Sequence, residues 1–81
     1  MMFKMYAIKD ELSEFASPLA IQDDAQAKRY FRYEVSKTKL MSDNPEDFSI
    51  WEVGDFDSET GVVMGKTPKL VERAKSTRKE E

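Results

Sequence analysis

The sequence contains neither cysteine nor histidine. The first absence excludes disulfides and thiolate nucleophiles, and together they exclude zinc sites with the usual ligands. The lack of histidine also removes the side chain that most often acts as a general base near neutral pH. Many carboxylates remain, but no glycine-rich phosphate-binding loop accompanies them. We therefore expect a protein that is not an enzyme and that binds no cofactor and no metal.

Long apolar runs are also absent. No stretch approaches the roughly 20 apolar residues that span a bilayer, and the first residues lack the apolar core of a signal peptide. We expect a soluble protein of a reducing compartment, with no membrane partner. A chain of 81 residues makes one small domain, which needs either good packing or oligomerisation for stability. We predict a single domain over residues 1–75 and a frayed charged tail over residues 76–81.

The net charge of −3 is unevenly distributed. Residues 43–59 carry seven acidic side chains and no basic one, whereas residues 66–81 carry six basic and three acidic side chains. Residues 23–39 carry five basic and three acidic side chains. A phosphate backbone responds to a local basic surface rather than to net charge, so nucleic-acid binding is not excluded.

The first half of the chain predicts a strand, a loop and a helix. "MFKMYAIKD" has the composition and alternation of a strand. Pro18 excludes a continuous helix after it and indicates a loop with a short extended segment within residues 15–21. A helix over residues 24–38 follows, because Asp23 or Asp24 can cap it and Gln26 stands three residues after Asp23. Its buried stripe repeats every four residues and consists of Ala27, Phe31 and Val35.

The second half predicts a hairpin and a further helix. "NPEDFSIWEVGDFDSETG" indicates a turn, a strand with a bulge or a bend at Gly54 and a hairpin loop closed by Gly61, after which "VVMGK" returns. Strict alternation puts Phe56 on the face of Phe48, Ile50 and Glu52, and puts Asp55 on the opposite face of the strand with Ser49, Trp51 and Val53.

Pro68 is suited to the first turn of a C-terminal helix with the apolar residues Leu70, Val71 and Ala74. The complete pattern predicts an α+β fold. We expect a small antiparallel sheet of about three to four strands, packed by one main helix, with a short C-terminal helix.

The acidic residues Asp55, Asp57 and Glu59 have the spacing of the start of an EF-hand loop. That loop also requires a glycine at its sixth position and a bidentate glutamate at its twelfth. Thr60 and Lys66 stand at those places. The segment therefore predicts a hairpin turn with solvated carboxylates rather than a calcium site.

The segment "KRYFRY" (28–33) interleaves cations with aromatic rings, as surfaces for single-stranded nucleic acid do, because cations track phosphates while rings stack on bases. A core role for Phe31 and an ordinary exposed helix face explain the same residues, and a protein-binding or self-assembling surface is equally compatible. Apolar residues on both faces of two strands also favour a homo-oligomer. The candidate nucleic-acid-binding residues are Lys28, Arg29, Arg32, Tyr33, Lys66, Lys69 and Arg73.

Residues 5–62 resemble the small non-structural proteins of gokushovirus-type microviruses, tailless bacteriophages with circular single-stranded DNA. The shared pattern is a tyrosine–isoleucine–aspartate strand start, a proline-containing segment, an "A-x-R-x-F" helix, "P-x-D-[FY]-x-[LI]" and "G-x-F-D-x-x-T-G". Two features depart from it, namely Met41 in place of an aromatic residue and the basic segment after Pro68. The matching positions are Tyr6, Ile8, Asp10, Pro18, Ala27, Arg29, Phe31, Pro45, Asp47, Phe48, Ile50, Gly54, Phe56, Asp57, Thr60 and Gly61.

The resemblance implies a non-structural protein of the bacterial host cytoplasm. It implies a role in genome replication, or in the switch to single-strand synthesis and packaging, with single-stranded DNA as the abundant partner. An alternative is a factor that engages replication, packaging or host proteins through its acidic hairpin, at Asp55, Asp57 and Glu59, without binding nucleic acid. The resemblance brings no catalytic residues with it.

Overall fold

A computed structural model of the chain describes residues 1–74 and contains one antiparallel sheet in the order β2-β1-β3-β4. The predicted α+β fold is confirmed. A short second helix follows the main one, and no helix in residues 1–74 is long and apolar enough to cross a bilayer. The predicted tail lies outside the described residues. The elements are β1 (Met2–Asp10), β2 (Leu19–Ile21), α1 (Asp24–Lys37), α2 (Lys39–Asp43), a 3-10 turn (Pro45–Asp47), β3 (Phe48–Asp57) and β4 (Val63–Arg73).

Helix α1 forms as the sequence predicts. The Asp23 carboxylate accepts a hydrogen bond of 3.0 Å from the backbone N–H of Gln26, which satisfies one of the free donors of the first turn. Ala27, Phe31 and Val35 are buried. This stripe packs on one side of the sheet, which we call the helix face, and the other side is the open face. The buried core consists of Tyr6, Ala27, Phe31, Val35, Met41, Phe48 and Ile50.

A polar contact fixes the start of α1 against β1. The buried Tyr6 hydroxyl donates a hydrogen bond of 2.5 Å to the Asp24 carboxylate, and the Lys4 ammonium lies 3.7 Å from the same oxygen. Burial and the Asp24 contact raise the pKa of Tyr6. The hydrogen bond from Tyr6 and the neighbouring Lys4 lower the pKa of Asp24. The folded protein therefore favours an ionised carboxylate and a neutral phenol at this junction.

Acid should weaken this junction. Because the pKa of Asp24 is lower in the folded state, its stabilising contribution is present above the unfolded pKa of about 4 and disappears as the pH falls through the folded pKa. We expect Asp24→Asn to lower the free energy of unfolding at pH 7 by about 1 kcal/mol, since the carboxylate is half-exposed and screened. Urea denaturation at pH 7 and pH 3 should show this difference shrinking at the lower pH. Glu46→Gln, at an exposed carboxylate, is the control, and a difference that persisted in acid would contradict the prediction.

A bulge in β3 changes which face Phe56 occupies. Glu52 pairs with Tyr6, but the next β1 residue, Met5, pairs with Gly54, so Val53 has no partner on β1. The bulge predicted at Gly54 is confirmed, and it reverses the alternation beyond it. Phe56 therefore shares the open face with Trp51, and Asp55 shares the helix face with Glu52. The strict alternation predicted for this strand was wrong on that point.

The C-terminal helix predicted from Pro68 was wrong over residues 68–73, because β4 continues through them. Lys69 pairs with Glu52 and Leu70 with Trp51. Proline is tolerated because β4 is an edge strand and because Pro68 lies in the irregular stretch between Gly65 and Lys69, where it removes no ladder hydrogen bond. Pairing with β3 thus prevails over the local helix signal.

The β3–β4 loop has the predicted geometry. Gly61 has a φ of 78°, a left-handed conformation that favours glycine. The backbone N–H of Gly61 donates to the carbonyl of Asp57 at 2.7 Å. The loop therefore closes a longer hairpin in the way the sequence indicates.

Candidate nucleic-acid interface

The outer side of α1 carries a shallow groove. Its lining consists of Gln26, Arg29, Tyr30 and Tyr33. These positions are three or four residues apart, so their side chains lie next to one another on the helix surface. Tyr33 is 59% exposed and Arg29 is exposed. The groove thus combines a guanidinium with two phenol rings, one of which is open to solvent.

Arg29 is the cation best placed to take an anion at this groove. Among residues 1–74 it has no ion pair and no side-chain hydrogen bond. Lys37 stands over the Tyr33 ring at 5.0 Å from its centroid and also pairs with Glu34 at 3.3 Å. Lys28 is half-buried. A phosphate beside Tyr33 would therefore meet a free guanidinium and an ammonium that is partly neutralised.

The other side of Tyr30 is unsuited to phosphate. A second groove there is lined by the carboxylates of Asp10, Glu14 and Glu34 together with apolar side chains. Burial, followed by the nearby charge of Glu34, raises the pKa of Tyr30. Like charges exclude a polyanion from this second groove, so a nucleic acid at α1 would be confined to the Arg29 side.

Arg32 belongs to an ion pair instead. Its Nε and Nη2 donate hydrogen bonds of 2.9 and 2.7 Å to the two carboxylate oxygens of Glu72. This bidentate contact raises the pKa of Arg32 and joins α1 to β4. Arg32 could contact phosphate only by giving up both hydrogen bonds.

The three basic candidates after residue 65 lie on the edge strand β4 and not on a helix. Lys66 donates a hydrogen bond of 2.5 Å to the buried Glu52 carboxylate and lies 3.3 Å from Asp55. The Glu52 contact raises the pKa of Lys66. Arg73 lies 3.8 Å from Glu11, whereas Lys69 has no ion pair within residues 1–74. The seven candidates therefore do not form one surface.

The acidic residues of the hairpin are also engaged within the chain. Asp55 pairs with Lys66, and the Asp57 carboxylate accepts a hydrogen bond of 2.9 Å from the backbone N–H of Glu59. That contact lowers the pKa of Asp57. The Glu59 carboxylate lies 3.1 Å from the amino group of Met1. These contacts leave the hairpin a weaker acidic docking site than its composition indicates.

Comparison with known proteins shows the family. Residues 3–77 match the model of a family described as Phage ORF5 protein. The chain belongs to the Phage ORF5 protein family. Neither the curated proteins nor the solved structures contain a match. The phage origin that the resemblance implied is thereby confirmed.

For this member of the Phage ORF5 family, sequence reasoning found Arg29 and Tyr33 but missed two other parts of the groove. Gln26 was considered only for the helix cap and Tyr30 was not named as a site residue, although both line the groove. Their spacing could have identified them, because the positions 26, 29, 30 and 33 are separated by steps of three or four and share one side of α1. The pairing of Arg32 with Glu72 could not be found in the same way, since these residues are 40 apart.

Proposed function

We propose that this phage protein is a non-structural protein that binds single-stranded DNA. Its setting would be the host cytoplasm of a microvirus infection, during genome replication or the switch to single-strand synthesis and packaging. The observation that carries the proposal is the unpaired Arg29 beside the exposed Tyr33 ring. A guanidinium can hold a phosphate while the ring stacks on an adjacent base.

The alternative, a protein-interaction factor that acts through the acidic hairpin, has less support. All three of its carboxylates already have partners within the chain. The expected homo-oligomer stays a prediction.

Replacing Arg29 and Tyr33 together by alanine should weaken DNA binding at least tenfold, because one stacked base contributes about 1–3 kcal/mol. The slope of log affinity against log salt should also fall by about 1 for each phosphate that the variant no longer binds. Fluorescence anisotropy with a labelled single-stranded oligonucleotide, at several salt concentrations, measures both quantities.

The matched control is Arg32→Ala, which removes an exposed arginine of the same helix that is already held by Glu72. It should change affinity much less than the Arg29 and Tyr33 double variant. Wild-type protein that does not bind single-stranded DNA, or equal losses of affinity in the two variants, would contradict the proposal.

A further inference from the structure

The strand register arranges the open face in four cross-strand rows. Residues that pair directly across antiparallel strands lie on the same face. Row 1 is aromatic and apolar, row 2 contains two adjacent glycines, row 3 contains the tryptophan, and row 4 is basic. The rows are Phe3–Phe56–Val63, Met5–Gly54–Gly65, Ala7–Trp51–Leu70 and Lys9–Ser49–Arg73.

Acidic side chains are absent from rows 1 to 3. Glu52 pairs with Tyr6, Asp55 with Lys4 and Glu72 with Ile50, so all three belong to the helix face. The carboxylate that reaches the open face is that of Glu11, beside row 4, 3.6 Å from Lys9 and 3.8 Å from Arg73. The acidic residues Glu52 and Asp55 of β3 thus lie on the helix face only.

Row 3 holds a fixed aromatic platform. The Trp51 indole N–H donates a hydrogen bond of 2.8 Å to Ser49, a fully buried residue. Phe15 packs edge-on against Trp51 with a centroid distance of 6.0 Å. The Lys9 ammonium lies 5.6 Å from the Trp51 ring and 5.4 Å from the Phe15 ring. Lys9 of the basic row and the two rings are therefore held together.

The glycine row separates the two rows of rings and carries no side chain on β3 or β4. The fold requires Gly54, because a Cβ there would lie 2.5 Å from the carbonyl oxygen of Met64. It does not require Gly65, where φ is ordinary and a Cβ would meet no atom within 4 Å. A strand glycine marks either a bulge, such as the irregular stretch that begins at Gly65, or a place where a ligand approaches the backbone closely.

We infer that the open face binds nucleobases of single-stranded DNA, with bases stacked on Trp51 and Phe56 on either side of the Gly54–Gly65 pair and phosphates held by Lys9 and Arg73. The inference rests on the proposed function for the identity of the ligand, but the surface is separate from the α1 groove. Trp51 and Phe56 lie on β3, a central strand of the four-stranded sheet, and such rings are suited to this task because every base has a face that can stack.

A second copy of the chain fits this face less well. Packing two open faces together would bury Lys9 and Arg73, whose carboxylate partner on this face is Glu11. Removing cations from water without full pairing is costly. Phosphate, in contrast, complements the positive charge that remains after Glu11 neutralises one of the two cations.

Trp51 is the only tryptophan in the sequence, so its fluorescence reports on this face. Addition of a short oligothymidylate to the wild-type protein should quench the emission, because a stacked thymine contacts the indole. An abasic oligomer of the same length, which offers phosphates without bases, should quench it little.

Gly65→Leu places a side chain between the two rows of rings at a position where the fold has room for a Cβ, and it should reduce both the quenching and the affinity for oligothymidylate about tenfold. Met64→Leu is the control, since Met64 pairs with Asp55 and faces the other way on the same strand. Trp51→Leu should give a similar loss of affinity. Circular dichroism checks that each variant keeps the wild-type fold.

The outcomes separate this inference from the proposed function. Oligothymidylate that binds by anisotropy without quenching Trp51, or that binds Gly65→Leu as it binds wild type, would overturn the inference and leave the proposed function intact. A Trp51 emission that changes with protein concentration alone would overturn it too, by showing that a second copy covers the face. Absence of any binding by the wild-type protein would overturn both.

Discussion

Replacing Phe31 by alanine is expected to lower the free energy of unfolding by about 3–5 kcal/mol, because a fully buried phenylalanine leaves a cavity that the core cannot close. Phe31 has 0% exposure and lies in the core cluster with Tyr6 and Ile50. A domain of this size has a total stability of roughly 4–12 kcal/mol. The substitution should therefore leave a large fraction of molecules unfolded near 37 °C.

Tyr33, two residues further along the same helix, provides the matched control for this prediction. Tyr33→Ala also removes an aromatic ring from α1, but Tyr33 is 59% exposed. We expect a loss of less than about 1 kcal/mol there. Urea denaturation followed by circular dichroism measures both variants, and comparable losses would show that α1 does not pack as described. A folded Tyr33→Ala variant is also what the DNA-binding test needs.

The second large effect is expected at Gly54. In Gly54→Ala the new methyl group would lie 2.5 Å from the Met64 carbonyl oxygen and 3.3 Å from the Gly65 Cα. Both are backbone atoms of the neighbouring strand, so relief requires β4 to move away from β3. We expect a loss of about 1–3 kcal/mol in the free energy of unfolding, as for other overpacked sites.

Gly65→Ala provides the comparison, because Gly65 is the direct partner of Gly54 in the ladder. A methyl group there meets no atom within 4 Å, so its effect on the free energy of unfolding should be close to zero. Denaturation curves of the two variants measure the difference. Two glycines with equal effects would mean that the close approach of β4 does not restrict the side chain at position 54.

The parts of the fold that were predicted correctly have local causes. The N-cap at Asp23, the buried stripe of α1 and the left-handed Gly61 each depend on residues within a few positions of one another. The segment after Pro68 also has a local helix signal, yet its conformation is decided by β3, to which it pairs across the sheet. Local helix propensity gives no information on that pairing, so the element predicted for this segment was wrong.

The candidate site was predicted in part for the same reason. Arg29 and Tyr33 were found because a helix face can be read from spacing alone. The roles of Arg32 and Lys66 depend on Glu72 and Glu52, contacts that exist only once α1 and β4 are placed against the sheet. The open face was missed because the bulge moves Phe56 to the side of Trp51.

The unpaired Val53 has a consequence for how relatives should vary. Val53 is the extra residue that shifts the alternation of β3. Removing one residue within 52–54 would therefore move each side chain beyond the bulge to the opposite face of the strand. Asp55 would then join the open side and Phe56 the side that faces α1. The separation of acids from rings is thus encoded in the length of this segment as much as in its composition. Relatives that keep both sides should therefore show no single-residue insertion or deletion in this segment.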